Sequence, residues 1–133
     1  MAATTTTLES QQRVRLITGW HKKEKLPLLP DYPSMKLLFW NCRGAGNINF
    51  KNTMADLHRD QSPDVIMLFE TKVLFQSTKM YFDQLGFSES IIMDPVGRVG
   101  GIWVLWNPTS VNLKGYHADS QVVHAIVTKN NFE

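Results

Sequence analysis

Two short apolar runs, each ending in a polar cluster, constrain the fold of this chain more than any other feature. The first run, residues 35–40, is followed by Asn41, and the second, residues 64–69, is followed by Glu70. An amphipathic stretch lies between them, so the pattern predicts strand, helix, strand. Parallel strands joined by a crossover helix end at the same edge of their sheet. Asn41 and Glu70 are therefore predicted side by side, where open α/β sheets bind ligands.

The chemistry of these two side chains indicates a kind of ligand. A carboxylate and a carboxamide on one sheet edge supply oxygen atoms, which Mg²⁺ and other hard cations prefer. The same pair can orient a phosphate group. Each side chain also has an ordinary interpretation: Asn41 as a cap of the loop after a strand, and Glu70 as an exposed charge at a strand end.

The rest of the chain predicts more strands than helices. Short connections between the later strands favour antiparallel pairing, so the expected fold class is α/β (α+β), with a mixed sheet and flanking helices. A short helix from Ser77 or Thr78 to Leu85 is expected to turn Met80, Tyr81 and Leu85 inward. The later strands are predicted at residues 87–93, 100–106, 111–116 and 121–128.

The first 34 residues differ from the rest in charge and in content of proline. They carry five basic and three acidic residues, whereas residues 35–133 carry nine of each. A short helix around residues 8–20 is one reading, and Pro27, Pro30 and Pro33 would break any continuation. The sequence therefore predicts a disordered basic leader at 1–34 and a single domain at 35–133.

Cysteine content and hydropathy narrow the cellular context only a little. The single cysteine, Cys42, excludes an internal disulfide and a multi-cysteine zinc site. It agrees with a reducing compartment, which favours the nucleus or cytoplasm while leaving localisation open. No apolar run approaches the ~18 residues that a membrane span needs, so no membrane partner is expected.

Three motifs in order suggest a family. They are Trp-Asn-Cys-Arg-Gly at 40–44, Leu-Phe-Glu-Thr-Lys at 68–72, and the strand at 100–106 that opens with Gly100-Gly101. Together they resemble the N-terminal half of the endonuclease/exonuclease/phosphatase superfamily. The first motif is most similar to the endonuclease domain of plant LINE-type (non-LTR) retrotransposons. The resemblance covers residues 35–128.

The resemblance implies roles for particular residues. Asn41 would be a catalytic residue that contacts the active-site phosphate, and Glu70 would ligate a single catalytic Mg²⁺ (or Mn²⁺). Lys72 and Arg43 are the candidates for binding nucleic acid, with DNA as the expected substrate. For Arg43, a solvated loop cation is the more common outcome. Gly100 and Gly101 would have a structural role at the start of their strand.

The family fold is a four-layer α/β/β/α sandwich, of which this chain resembles only the N-terminal half. The family's Asp-x-Asn and Ser-Asp-His motifs, which contain the general base, are absent from the sequence. The metal site is therefore expected to be incomplete, and the chain inactive as a phosphodiesterase by itself. The missing sheet is expected to leave an apolar face exposed, which favours self-association. Residues assigned to that face are Phe39, Ile66, Leu68, Ile102 and Val104, or their neighbours along the strands.

Other functions stay open beside the truncated endonuclease. The chain could be a non-catalytic remnant of a retroelement that binds nucleic acid or a partner protein, with the basic leader supplying the attraction. It could also be a fragment of a longer element without a separate function. Relatives in the superfamily act on DNA, RNA, inositol phosphates or sphingolipids, so the resemblance does not fix the substrate.

The remaining reactive and aromatic side chains favour structural roles. Cys42 is expected to be a small packed residue, since no partner that would activate it lies near it in sequence. His117 and His124 are expected to pack or lie at the surface. Trp103 and Trp106 could stack on bases, but their spacing puts them on opposite faces of a strand, so at least one should be in the core.

Overall fold

In the computed structural model of this protein, residues 3–9, 11–17, 34–118 and 122–129 are described, with side chains at 35–115 and 127–128. The elements in chain order are β1 (Ala3–Glu9), β2 (Gln11–Ile17), β3 (Ser34–Asn41), α1 (Phe50–Gln61), β4 (Val65–Phe69), a 3₁₀ turn (Phe75–Ser77), α2 (Lys79–Gln84), β5 (Glu89–Met93), β6 (Ile102–Trp106), β7 (Val111–Ala118) and β8 (Val122–Lys129).

The strands form two sheets. The larger sheet has the order β1-β3-β4-β6-β5, and the smaller has the order β2-β8-β7. Strands β3 and β4 are parallel and connected through α1, whereas every other pairing is antiparallel. The strand-helix-strand prediction is therefore confirmed, and so is the broader prediction of a mixed α/β fold with a mixed sheet and few helices.

Helices α1 and α2 cover one face of the larger sheet. The ring of Trp40 stacks on that of Phe50 with centroids 5.3 Å apart, and Phe82 lies edge-on to Trp103. Offset and edge-on aromatic pairs of this kind add to the stabilisation from burial alone. Within the described ranges, no helix has the length and apolarity to cross a membrane.

The smaller sheet covers the opposite face of the larger one. Val111 and Leu113 of β7 and Val127 of β8 pack in one cluster with side chains of β3, β4 and β6. The expectation of an exposed apolar face is therefore wrong for the residues assigned to it. Four are buried and Phe39 is half-buried, because the helices cover Ile66 and Leu68, and the smaller sheet covers the face that carries Phe39, Ile102 and Val104.

The N-terminal segment also departs from expectation. Residues 3–9 and 11–17 are strands, where the sequence predicted a disordered leader or a short helix. β1 pairs with the outer edge of β3, and β2 pairs with β8 in the other sheet. The segment thus spans the two sheets, because their free edges offer backbone hydrogen bonds that the sequence pattern does not reveal.

One helix face was predicted wrongly. In α2, Met80 is 74% exposed and Phe82 is fully buried, although Met80 was expected to face inward. Three apolar residues in succession leave the buried face of a short helix ambiguous. Phe82 lies on the buried face of the helix because its ring contacts Phe50, Phe75 and Trp103.

Candidate functional site

The loops that follow β3, β4 and β5 and the loop that precedes β6 lie at the same end of the larger sheet. This end is the edge at which the candidate residues were predicted. In the parallel pairing of β3 with β4, Asn41 lies opposite Phe69, so Glu70 follows immediately beside it. Ile102, the first residue of β6, lies opposite Phe69 on one side and the last residue of β5 on the other. The register thus brings Asn41 and Glu70 together, as predicted, and adds the glycines before β6 to the same edge.

The backbone at this edge is unusually rich in left-handed conformations. Among described residues other than glycine, positive φ occurs at Arg43 (53°), Glu70 (54°) and Lys72 (62°), and at Ser62, which ends α1. A left-handed conformation costs such a residue about 1–2 kcal/mol. Three of the four lie in the two loops that carry the candidate site residues, so the strain is concentrated at the site. Strain of this kind tends to accumulate at functional sites.

Backbone hydrogen bonds hold these loops against one another. The N–H of Ala45 donates to the carbonyl oxygen of Thr71 at 2.8 Å, and the N–H of Lys72 donates to that of Gly100 at 2.9 Å. The N–H of Cys42 donates to the carbonyl oxygen of Phe69 at 3.1 Å. The loop after β4 is therefore hydrogen-bonded on both sides, to the loop after β3 and to the loop before β6.

The polar side chains at this edge are accessible. Asn41, Arg43 and Lys72 are exposed, and Glu70 is half-buried. Among the described residues, neither the carboxamide of Asn41 nor the carboxylate of Glu70 has a hydrogen-bond or salt-bridge partner. Their oxygen atoms can therefore accept a ligand without first losing an internal partner.

Cys42 lies beside these groups, but its thiol has low reactivity. Its thiol is half-buried and contacts the carbonyl oxygens of Phe69, at 3.5 Å, and Glu70, at 3.9 Å. Burial raises the pKa of the thiol from 9.0 to about 11, and the negative charge of Glu70 adds to the rise. A protonated thiol is a poor nucleophile at neutral pH, which agrees with the predicted packing role.

The tryptophan and histidine candidates lie in strands rather than in these loops. Trp103 and Trp106 are both buried, one under the helices and the other under the smaller sheet, so neither is free to stack on a base. His117 and His124 lie opposite each other in the pairing of β7 with β8. The side chains of the two histidines fall outside the described part of the chain.

The donor atoms at this edge limit the kinds of metal ion that could bind there. The described residues contain no group of three or more His, Cys, Asp or Glu side chains that could hold a metal. One carboxylate and one carboxamide cannot form the closed ligand set of a structural zinc or calcium site. They do suit Mg²⁺, which binds through one or two carboxylates and keeps several waters.

The sequence did not single out Thr71, which the structure places at the centre of the loop contacts. It is fully buried between the two candidate residues Glu70 and Lys72. The only signal was a β-branched residue next to the predicted ligand, combined with a double glycine elsewhere in the chain.

Comparison of the chain with protein-family models, with curated proteins and with solved structures found no match.

Proposed function

We propose that this chain carries the metal-binding and phosphate-binding part of a Mg²⁺-dependent nucleic-acid phosphodiesterase site, of the endonuclease type. The proposal includes the finer fold, in which the larger sheet and its two helices belong to the N-terminal half of a four-layer α/β/β/α sandwich. The observation that supports it best is the parallel register of β3 and β4, with Asn41 and Glu70 adjacent at one edge. The resemblance of the three sequence motifs adds to it.

Each residue has a role that its chemistry suits. Glu70 would hold Mg²⁺ (or Mn²⁺) through its carboxylate, and the bound ion would supply charge neutralisation at phosphoryl oxygens. The carboxamide of Asn41 would donate a hydrogen bond to a phosphate oxygen and orient it. Arg43 and Lys72, both exposed, would attract the polyanionic backbone of DNA.

Binding of Mn²⁺ at Glu70 tests the proposal directly, because the paramagnetic ion broadens NMR signals of nearby amides. We expect amide signals of Asn41 and Lys72 to broaden at lower Mn²⁺ concentrations than signals elsewhere in the ¹⁵N-labelled full chain. Glu70→Gln keeps the size of the side chain but removes its charge, so the selective broadening should be lost. Glu89→Gln is the matched control, since Glu89 is an exposed glutamate on β5.

The outcomes separate this function from the non-catalytic alternative. Equal broadening of the amide signals in the wild type and in Glu70→Gln would contradict the proposed metal site. Duplex DNA binding that persists in EDTA and is unchanged in Glu70→Gln would then favour a nucleic-acid-binding remnant. Since residues 3–9 and 11–17 are strands, one in each sheet, this comparison uses substitutions at the site rather than removal of the N-terminal segment.

A further inference from the structure

Thr71 occupies an unusual position between two strained residues. Its neighbours Glu70 and Lys72 both have left-handed backbones, with φ of 54° and 62°. The side chain of Thr71 is completely buried, although it lies in a loop at a sheet edge. Its hydroxyl oxygen has no hydrogen-bond partner among the described residues. A buried hydroxyl without a partner is unfavourable, so another contact must hold this side chain in place.

That contact is with Gly101. A Cβ atom added to Gly101 would overlap Oγ1 of Thr71, and it would also lie 3.3 Å from Cδ of Pro95. Gly101 has a φ of 99°, which a residue with a side chain rarely adopts. The side chain of Thr71 therefore fits against a bare Cα that only glycine can provide.

The backbone of Thr71 reinforces the same contact. Its N–H donates to the carbonyl oxygen of Gly101 at 3.4 Å, and its own carbonyl oxygen accepts from Ala45 at 2.8 Å. Side chain and backbone together fix one residue against the loops on both sides. The residue before it, Glu70, consequently has little freedom to leave its left-handed conformation.

We propose that Thr71, which packs against Gly101, is the positioning residue that holds the carboxylate of Glu70 beside Asn41 for cation binding. The inference rests on the proposed function, in which Glu70 is the metal ligand. The shape of the Thr71 side chain does the positioning, because its hydroxyl makes no hydrogen bond that could. Residues that orient a ligand from behind typically change metal affinity about 10–100-fold when they are altered.

The test measures the Mn²⁺ concentration that halves the amide signal of Asn41 in the full chain. Thr71→Ala removes the atoms that contact Gly101, so this concentration should rise about tenfold. Thr71→Val keeps the shape and removes only the hydroxyl, so it should match the wild type. Gly101→Ala adds a methyl group where Oγ1 of Thr71 lies, so it should weaken Mn²⁺ binding as Thr71→Ala does.

A matched control separates positioning from a general loss of stability. Thr78 is a buried threonine near the start of α2, and its hydroxyl donates to the carbonyl oxygen of Phe75 at 3.2 Å. Thr78→Ala should lower the free energy of unfolding without changing the Mn²⁺ concentration. Thr71→Ser keeps the oxygen that faces Gly101 and lacks only the methyl group, so it should match the wild type even if Thr71→Ala does not fold.

Three results would overturn the inference. An unchanged Mn²⁺ concentration in folded Thr71→Ala, or a shifted one in Thr71→Ser, would show that the contact of Oγ1 with Gly101 does not position Glu70. A shift in Thr71→Val as large as in Thr71→Ala would assign the effect to the hydroxyl. An equal shift in Thr78→Ala would assign it to stability. Loss of selective broadening in Glu70→Gln in the same series keeps the proposed function intact, so the two failures can be told apart.

Discussion

At the scale of single residues, the loops after β3 and β4 contain one side chain whose environment changes its chemistry and several residues with left-handed backbones. The thiol of Cys42 contacts two carbonyl oxygens in a half-buried position, and its pKa is raised by loss of hydration. Glu70 and Lys72 adopt left-handed backbones that neither residue type favours. These features come from contacts between loops that are distant in sequence.

The raised pKa of Cys42 predicts slow reaction with alkylating reagents. A pKa of about 11, against 9.0 for an ordinary thiol, leaves far less thiolate at pH 8. We expect iodoacetamide to modify the folded chain about 100-fold more slowly than the urea-unfolded chain, since the thiolate is the nucleophile. Mass spectrometry of quenched samples in EDTA measures both rates, and similar rates would contradict the burial of this thiol.

The same shift gives stability a pH dependence with a definite sign. Between pH 9 and 11 the unfolded chain releases the Cys42 proton while the folded chain keeps it, so the free energy of unfolding falls as pH rises. Below pH 9 both states hold the proton and the group contributes no slope. Urea unfolding of wild type and Cys42→Ala across this range isolates the effect from other titrating groups.

At the scale of elements, periodicity was a good guide where one face was clearly apolar. Helix α1 lies where the amphipathic stretch between the two apolar runs predicted a helix, and its residues Phe50 and Met54 are buried. At the start of this helix, Asn49 makes no capping hydrogen bond through its side chain, and Oδ1 of Asn47 accepts from the N–H of Asn49 at 2.9 Å. Helix α2, with its successive apolar residues, needed the packing of its neighbours to define its buried face.

The two faces of α2 predict opposite responses to truncation. Phe82→Ala removes a fully buried ring that contacts Phe50 and Trp103, so it should cost about 3–5 kcal/mol of unfolding free energy. Met80→Ala, on the exposed face, should change stability by about 0.5 kcal/mol or less. Chemical denaturation of both variants checks the assignment, which equal losses would contradict.

At the scale of the whole molecule, the helices cover one face of the larger sheet and the smaller sheet covers the other. The N-terminal strands β1 and β2 pair with β3 and β8, one in each sheet. Strands β1 and β2 occupy edges of β3 and β8 that would otherwise present unpaired backbone groups. Unpaired edges of this kind promote association between chains. The original reason to expect self-association, an exposed apolar face, does not hold for the described residues.

Removal of residues 1–17 should therefore have a larger effect than removal of a disordered leader. We expect a lower midpoint of urea unfolding and concentration-dependent association, because the edges of β3 and β8 lose their partners. Denaturation and light scattering at several protein concentrations measure the two effects. A shortened chain as stable and as monodisperse as the full chain would rule out a structural role for β1 and β2.

The sequence by itself determined the elements between residues 34 and 106 and the meeting of Asn41 with Glu70. Both follow from local periodicity and from the rule that a crossover helix joins parallel strands. Only the tertiary structure decided how the N-terminal strands pair, which face of α2 is buried, and how Thr71 fits against Gly101. These depend on contacts between distant segments, whose free energy comes from packing and shared hydrogen bonds, and no local pattern of residues carries that information.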